Sequence, residues 1–267
     1  MLAGEVMGSA LLRARPSDLP ALRRRPGPAP EGWTRTPPSL LRYSDEQTVV
    51  ATAAVFAAIE AMKATPDRFA GWGVVAASRY LGRANLAAAL RSFKAVGVWG
   101  TSPHLIPHFA LLSPSGTISL ALGIHGPNVG AGGGLHAATE GFLAALTWLA
   151  AGVVPGVWLV LSGWSPELVP ERPGDATAAD PPGDIECQAL AVALRPAATD
   201  DGAGEAGPRF RLRIDGEPAP GTVAAPVDLL RLARDLEAPR EPSCRTVATD
   251  PAGRVRVDLV GGRGGAR

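Results

Sequence analysis

A glycine-rich stretch that leads directly into an apolar helix constrains the fold of this chain more than any other feature. The stretch GPNVGAGGG occupies residues 126–134, and the apolar run LHAATEGFLAALTWLAAG follows it to residue 152. Glycine-rich turns at the start of a helix usually bind a phosphate or present a nucleophile. This turn has no Ser, Cys, Lys or carboxylate. The sequence therefore predicts a site with the backbone of an active site and without its reactive group.

Apolar periodicity predicts alternating helices and strands around this stretch. The run SDEQTVVATAAVFAAIEAMKATP predicts a helix that Ser44 caps and Pro66 ends. Near-continuous apolar runs at 72–78 and 156–164 predict neighbouring buried strands. The remaining predicted elements are helices at 84–97, 111–123 and 136–151 and a strand at 186–196. This order predicts an α/β fold with helices layered around a mostly parallel mixed sheet.

The flanks of this α/β domain, which we place at 41–196, have a different composition. Residues 1–40 predict an irregular leader because they contain seven prolines: Pro16, Pro20, Pro26, Pro28, Pro30, Pro37 and Pro38. Residues 170–184 are rich in Pro, Gly and Asp and predict a linker. Residues 197–260 predict a strand–helix–strand extension that packs on the domain, with a strand at 209–215, a helix at 225–237 and a final hairpin. Residues 261–267 predict a flexible tail.

Composition excludes several classes of function. Lys and Arg total 26 against 25 Asp and Glu, a balance unsuited to electrostatic binding of nucleic acid. No apolar run is long enough to span a bilayer and the amino terminus lacks a signal-peptide core, so we expect a cytoplasmic protein. Cys187 and Cys244 are too few for a disulfide framework or a zinc site.

A histidine pair has the spacing of a zinc-binding helix. His104 and His108 lie four residues apart, but Pro107 stands between them and no third ligand is near in sequence. We therefore predict loop histidines and no metal site.

Residues Gly132–Ala137 formally satisfy the dinucleotide-binding fingerprint G-x-G-x-x-G/A. The segment before them is longer than a tight strand-to-turn junction. Ser162-Gly163-Trp164 stands where the acid that binds the ribose is expected. A lone match of this kind is not specific, so nucleotide binding is kept as an alternative only, and no cofactor is predicted.

Taken together, these elements resemble the amino-terminal half of the β-ketoacyl synthases, which have the thiolase fold. The resemblance covers roughly residues 40–196. It rests on the order of the elements and on a Gly-Pro-Asn signature formed by Gly123, Gly126, Pro127 and Asn128. The nearest relatives resemble short, stand-alone ketosynthase-like proteins of aryl-polyene and related fatty acid or polyketide clusters, which also end in a strand–helix–strand extension.

The resemblance implies that the catalytic residues are missing. Active members have a cysteine seven residues after the Asn, at a turn where a buried helix begins, because a helix amino terminus favours the thiolate. Here that position is Leu135, preceded by Gly132, Gly133 and Gly134. The catalytic histidines of the family belong to the carboxy-terminal half, which we do not expect in this sequence. The resemblance thus implies a degenerate elbow.

A remnant acyl pocket is expected beside this elbow, with Leu135 near the loop around Phe109. His136, at the loop–helix junction, is a candidate donor to a ligand carbonyl, although a packed or solvent-facing histidine is the commoner case at such a position.

Three hypotheses for function follow. The leading one is a non-catalytic ketosynthase-like protein that pairs with an active ketosynthase, as chain-length factors do, or binds an acyl chain or acyl carrier protein. The family dimerises through the strand beside the nucleophile loop, which implies a homodimer or a heterodimer. The alternatives are an enzyme with residual acyltransferase or decarboxylase activity and a nucleotide-binding α/β domain.

Overall fold

An eight-stranded sheet organises the computed structural model, which describes residues 2–27, 40–102, 105–169, 185–197, 209–214, 227–237, 244–250 and 255–260. The strands are β1 Leu2–Ala14, β2 Gly73–Ser78, β3 Asn128–Ala131, β4 Val157–Ser165, β5 Glu186–Pro196, β6 Arg209–Ile214, β7 Cys244–Thr249 and β8 Val255–Val260. They are arranged in the order β3-β2-β4-β5-β1-β6-β8-β7.

The predicted neighbouring strands 72–78 and 156–164 are confirmed as β2 and β4. They pair in parallel from Gly73 opposite Val157 to Ser78 opposite Ser162. The sheet as a whole is mixed, however, and only the pairings β2–β3 and β2–β4 are parallel among the described strands. The expectation of a mostly parallel sheet is wrong in this detail, because β1 and the carboxy-terminal strands join it antiparallel.

Helices cover both faces of the sheet. They are α1 Leu19–Arg24, α2 Glu46–Ala61, α3 Arg83–Val96, α4 Leu105–Phe109, α5 Leu112–Leu122, α6 Ala137–Ala150 and α7 Leu229–Glu237. Side chains of α2 and α5 pack in one apolar core, and side chains of α6 and α7 pack in the other. The predicted helices at 84–97, 111–123, 136–151 and 225–237 are confirmed with ends shifted by up to four residues.

Strand β4 separates the two cores. Trp158 and Val160 lie in the core with α2, whereas Leu159 and Leu161 lie in the core with α6. Because successive side chains of a strand point to opposite faces, one apolar run supplies both cores. This explains why residues 157–164 are buried on both sides.

The predicted irregular leader is wrong for the first strand and helix. Strand β1 lies inside the sheet, between β5 and β6. Its thirteen residues contain no proline, since the first proline, Pro16, comes after the strand ends. Pro20 occupies the first turn of α1, where a missing backbone N–H costs nothing. The proline count taken over all forty residues therefore gave a wrong prediction for residues 2–24, which form a strand and a helix.

Two local predictions need correction. Asp45, not Ser44, caps α2, because its carboxylate accepts a hydrogen bond from the backbone N–H of Gln47 at 2.8 Å. His108 lies in the short helix α4 rather than in a loop, since Pro107 falls within the first turn of that helix. His104 lies outside the described residues.

The extension continues the same sheet. Strands β6, β8 and β7 pair antiparallel, and β6 joins them to β1. The predicted strand at 209–215, the helix and the final hairpin are thus confirmed, and α7 packs on the core that α6 shares. The predicted linker at 170–184 and the tail at 261–267 lie outside the described residues. No described helix is long and apolar enough to cross a membrane.

Candidate functional site

The glycine-rich stretch forms a tight elbow between β3 and α6. Gly132 and Gly133 have φ angles of 77° and 120°, a region that L side chains rarely adopt. A Cβ atom at Gly132 would lie 2.4 Å from the Cα of Ala137, at the start of α6. The backbone N–H of Tyr80 donates to the carbonyl of Gly133 at 3.1 Å, which ties the elbow to the end of β2. Gly132 is therefore required by close packing of the turn, and both Gly132 and Gly133 are favoured by their positive φ angles.

Leu135 lies at this elbow and lines a cavity of about 300 Å³. The cavity lies at the carboxyl ends of the parallel strands β2 and β4, where α/β folds commonly bind ligands. The other residues that line it are Ala77, Arg79, Ala137, Ala138, Leu161, Ser162, Gly163, Trp164, Ser165, Gln188, Val227, Asp228, Leu229 and Leu230. Leu135 thus stands beside a cavity, and residues 227–230, which include the first residues of α7, also line it.

A buried chain of hydrogen bonds supports the polar wall of the cavity. Ser162 Oγ donates to Gln47 Oε1 at 3.0 Å and lies 2.8 Å from Ser78 Oγ. Gln47 Nε2 donates to the carbonyl of Arg79 at 2.9 Å. The guanidinium of Arg79 donates in turn to the carbonyl of Trp164. These bonds fix the ends of β2 and β4, so the cavity is rigid where the two strands meet.

The structure brings only part of the predicted site together. Gly132, Gly133, Gly134, Leu135 and His136 share the elbow. His136 precedes α6, and its Nδ1 atom is buried without a hydrogen-bond partner among the described residues. It is not one of the residues that line the cavity.

Phe109 packs beside Gly82 and does not line the cavity beside Leu135. A Cβ atom added at Gly82 would lie 2.7 Å from the Cβ of Phe109. Leu111, two residues further along, contacts the elbow instead, since its side chain lies 3.3 Å from a Cβ atom built at Gly133.

The signature residues lie at the opposite end of β3 from Leu135. Gly123 ends α5 in a left-handed conformation. A Cβ atom at Gly126 would lie 2.0 Å from the carbonyl oxygen of Trp72. The carbonyl of Pro127 accepts a hydrogen bond from Val74 N–H at 2.9 Å, and Asn128 begins β3. These residues therefore place the strand against β2, and the strand in turn places the elbow.

Buried titratable groups near the ends of the strands do not supply a nucleophile. Burial and the nearby carboxylates of Asp45, Glu46 and Glu167 raise the pKa of the Cys187 thiol well above its usual value. Burial, with a contribution from Glu46, raises the pKa of Asp45 to about 6. A thiol in this environment stays protonated at neutral pH and is a poor nucleophile. The described residues contain no group of His, Cys, Asp and Glu that could hold a metal ion.

The dinucleotide fingerprint requires a strand directly before its glycine turn, and the structure has one although the sequence did not predict it. β3 ends at Ala131, directly before Gly132, so a strand does lead into the glycine turn. The expectation of a long intervening segment is wrong, because the four-residue strand was not recognised. The other objection stands, since the last four residues of β4, 162–165, include no acid.

Several residues of the cavity wall were missed by sequence reasoning. Arg79 directly follows β2, and Ser162 is the last residue of β4 that pairs with β2, so their positions at the carboxyl ends of the parallel pair were a usable signal. Gln188, on β5, and residues 227–230 reach the cavity only through long-range packing, which no local pattern reports.

Comparisons with known proteins give no match by sequence and clear matches by structure. No protein-family model matches the chain, and no curated protein matches it. A structure of the ketosynthase ApeO in complex with its chain length factor ApeC from Xenorhabdus doucetiae matches with a TM-score of 0.55 and 17% identity. That match covers 97% of this chain and 100% of the other.

Two further structures agree with this match. One is AntDE:AntF, a type II PKS acyl-carrier protein in complex with its ketosynthase, with a TM-score of 0.53 and 14% identity over 80% of this chain and 69% of that one. The other is a beta-ketoacyl synthase from Burkholderia phymatum STM815, with a TM-score of 0.52 and 16% identity over 89% and 69%.

The chain has a β-ketoacyl synthase-like thiolase fold. Within this thiolase fold, the elbow joins the edge strand β3 to the buried helix α6. The resemblance to ketosynthases implies that their catalytic cysteine corresponds to the position seven residues after Asn128, which is Leu135 here. Leu135 lies in the turn before α6 and lines the cavity, so its surroundings are those of a strand–helix elbow beside a ligand-sized space.

Proposed function

We propose that this protein is a ketosynthase-like subunit without condensing activity of its own, which pairs with an active ketosynthase in fatty acid, aryl-polyene or polyketide-type biosynthesis. The observation that carries the proposal is Leu135. It occupies the predicted nucleophile position, lies at the elbow and lines the cavity with a hydrocarbon side chain. A leucine has no atom that can form a thioester, so a substrate bound there stays non-covalent.

The similar structures support a paired role. The matched chain of the ApeO–ApeC complex is covered completely by this chain, and that complex joins a ketosynthase to a chain length factor. The AntDE:AntF structure joins a ketosynthase to an acyl-carrier protein. Both kinds of partner are therefore included in the proposal for this chain, together with self-association.

The proposed contact with a ketosynthase is the outer edge of β3. This strand is at one end of the sheet order, with β2 as its neighbour. An edge strand presents unpaired backbone donors and acceptors that a second strand can join. Asn128, at the start of β3, is exposed and marks this edge.

The experiment that tests the function combines a condensation assay with a binding assay. Purified protein should form no product from acyl and malonyl carriers, and Leu135→Cys should restore none, because His136, the histidine at the elbow, does not line the cavity. The protein should form a complex with a purified ketosynthase encoded by the same genome. Asn128→Lys should weaken that complex by about tenfold or more, since a charge at an edge strand opposes pairing.

His125→Lys is the matched control. It adds the same charge at an exposed position in the turn before β3, outside the strand, and should leave the complex intact. Condensation by the protein alone contradicts the proposal, as does a lack of association with any ketosynthase of the genome. Equal weakening by both variants contradicts the role of the β3 edge.

A further inference from the structure

Three residues form a row across the sheet where β2 and β4 end and β5 begins. Gly163 on β4 pairs with Gln188 on β5, and Arg79 directly follows Ser78, which pairs with Ser162. Arg79 therefore lies beside Gly163, and its Nε atom is 3.3 Å from a Cβ atom built there. Because Gly163 has no side chain, the guanidinium group of Arg79 can lie over β4. We call Arg79, Gly163 and Gln188 the strand-end row, and all three line the cavity beside the elbow.

The polar groups of the strand-end row are not fully used by the fold. Gln188 is 8% exposed, so more than nine-tenths of it is buried, and its amide makes no hydrogen bond within the part of the chain that the structure describes. The guanidinium group of Arg79 donates to the carbonyl of Trp164, but its Nε atom is buried without a partner among the described residues. Buried polar groups normally have partners, because an unpaired one costs free energy. These groups therefore indicate a ligand in the cavity that accepts hydrogen bonds.

The acidic side chains near the strand-end row leave the charge of Arg79 available. Glu186, on the same face of β5, already pairs with an arginine of β1 at 2.6 Å. The carboxyl group of Glu167 interacts with both Arg79 and Arg83, but burial raises its pKa, it forms no ion pair with Arg79 among the described residues, and it does not line the cavity. Asp228 does line the cavity, and its carboxylate accepts a backbone N–H in the first turn of α7 at 3.0 Å.

Most of the remaining wall is hydrocarbon. Leu135, Leu161, Val227, Leu229 and Leu230 all contribute to it. The volume of about 300 Å³ is at the lower end of the range for small-molecule sites. One guanidinium group and one amide match the two oxygens of a carboxylate, whereas a phosphate monoester carries roughly two charges and would leave one uncompensated. The wall therefore fits a small anion with a short apolar tail.

We infer that the cavity binds a small carboxylic acid as its carboxylate, which Arg79 and Gln188 hold while a short hydrocarbon tail contacts Leu135. A guanidinium group binds a carboxylate through paired, charge-assisted hydrogen bonds, and the Gln188 amide adds a further donor. A thioester has no charge for Arg79 to select, so the ligand is a free acid. The inference goes beyond the proposed function, because it concerns what the isolated chain binds and not the subunit that it joins.

Calorimetric titration of the purified protein with hexanoate and hexanamide tests this inference. The two probes have the same length, but only hexanoate is charged at neutral pH. Hexanoate should bind at least about tenfold more tightly than hexanamide, because only its charge is matched by Arg79. Acetate should also bind about tenfold or more weakly than hexanoate, since it lacks the methylene groups that contact the apolar wall.

Substitutions in the strand-end row should change this preference. Arg79→Gln should abolish it, whereas Arg79→Lys should keep part of it, since lysine retains the charge without the planar pair of donors. Gln188→Leu should weaken binding of hexanoate by about threefold to tenfold. Arg91→Gln is the matched control, because it removes one positive charge at an exposed position on α3 that does not line the cavity. It should leave both affinities unchanged.

Thermal unfolding checks that each variant is folded, and the comparison of the two probes on the unmodified protein needs no variant. Equal affinities for hexanoate and hexanamide overturn the inference, as does a lack of hexanoate binding at about 10 mM. A preference for hexanoate that survives Arg79→Gln, or tighter binding of inorganic phosphate than of hexanoate, also overturns it. Arg79→Gln should still associate with the ketosynthase, so loss of carboxylate binding is distinguishable from loss of pairing.

Discussion

Helices α6 and α3 have the same length and contrasting surroundings. Each has fourteen residues and each follows a strand of the parallel part of the sheet. Seven residues of α6 are buried, whereas none of α3 is. The two sequences are both rich in Ala and Leu, so local propensity alone does not separate them. The difference lies in what each apolar face meets in the folded chain.

α6 meets the sheet at close range. A Cβ atom at Gly141 would lie 2.5 Å from the Cβ of Ala77 on β2, so the missing side chain allows the helix to approach the strand. Leu146 and Phe142 then fill the core beside Leu159. α3 is joined to the body of the protein at Asn85 and turns its apolar face away. The fold therefore buries the apolar face of one helix and leaves apolar side chains of the other exposed.

The largest test of this comparison removes one leucine from each helix. Leu146→Ala should lower the free energy of unfolding by about 2–5 kcal/mol, because Leu146 is fully buried and a cavity remains. Leu90→Ala should change it by about 0.5 kcal/mol or less, because Leu90 is exposed. Urea unfolding of the three proteins measures both values. Similar losses from the two substitutions would show that α3 packs internally after all.

The sequence predicted the helices α6 and α3 equally well. Of the elements around them, it predicted β2 and β4 but not β3 or the cavity wall. Apolar runs located β2 and β4 because strands buried on both faces have an unmistakable composition. The four-residue strand β3 was missed since two of its residues are Asn and Gly, which rarely mark strands. Leu135 was located from the spacing after Asn128, but the wall contributed by residues 227–230 depends on contacts between distant segments.

The prediction of an irregular amino terminus from its proline content was wrong because long-range pairing, not local composition, holds this segment. Strand β1 is held between β5 and β6, and neither neighbour is close to it in sequence. The exposure of the α3 face was equally inaccessible, because an amphipathic pattern predicts a covered face without saying what covers it.

A second test acts on the entry to α6. Gly132→Ala should lower the free energy of unfolding by roughly 2–4 kcal/mol, because it combines a positive φ with a Cβ atom 2.4 Å from the backbone of Ala137. Gly134→Ala is the matched control in the same turn, where an added Cβ meets open space. Thermal and urea unfolding compare the two. A neutral Gly132→Ala would mean that the elbow is looser than the structure shows.

A third test uses pH and acts at the junction of α2 and α3. The pKa of Asp45 is raised to about 6 in the folded protein, because burial disfavours its charge. The folded state therefore holds the proton more tightly than the unfolded chain, and this stabilisation is lost as pH rises from about 4 through 6. The free energy of unfolding of Asp45→Asn minus that of wild type should increase over this range by on the order of 2–3 kcal/mol.

Urea unfolding at intervals of pH measures that difference. Asn keeps the cap on Gln47 N–H, so the helix itself should persist. Gln47→Glu is unsuitable as a control, since the Gln47 side chain belongs to the buried chain of hydrogen bonds with Ser162 and Arg79. Asp18→Asn is suitable, because Asp18 is exposed at the N-cap position of α1 and its side chain makes no cap hydrogen bond. A difference that stays constant with pH would refute the assigned environment of Asp45.

The smallest effect is expected from Asn85→Ala, which removes the hydrogen bonds between α3 and the α2 amino terminus. Because these bonds are partly exposed, the free energy of unfolding should fall by about 1 kcal/mol or less. The local effect on α3 should be larger than the effect on global stability. Amide hydrogens of α3 should exchange faster, whereas those of α6 should keep their rates, since α6 is held by the core.

The same substitution should raise the pKa of Asp45 further, because the Asn85 hydrogen bond lowers it in the native protein. Leu90→Ala, on the same helix but away from Asn85, should change neither the Asp45 pKa nor the exchange rates of the first turn. If α3 and α6 lose protection together in Asn85→Ala, the two helices belong to one cooperative unit, and the contrast between a buried and an exposed helix does not extend to their local stability.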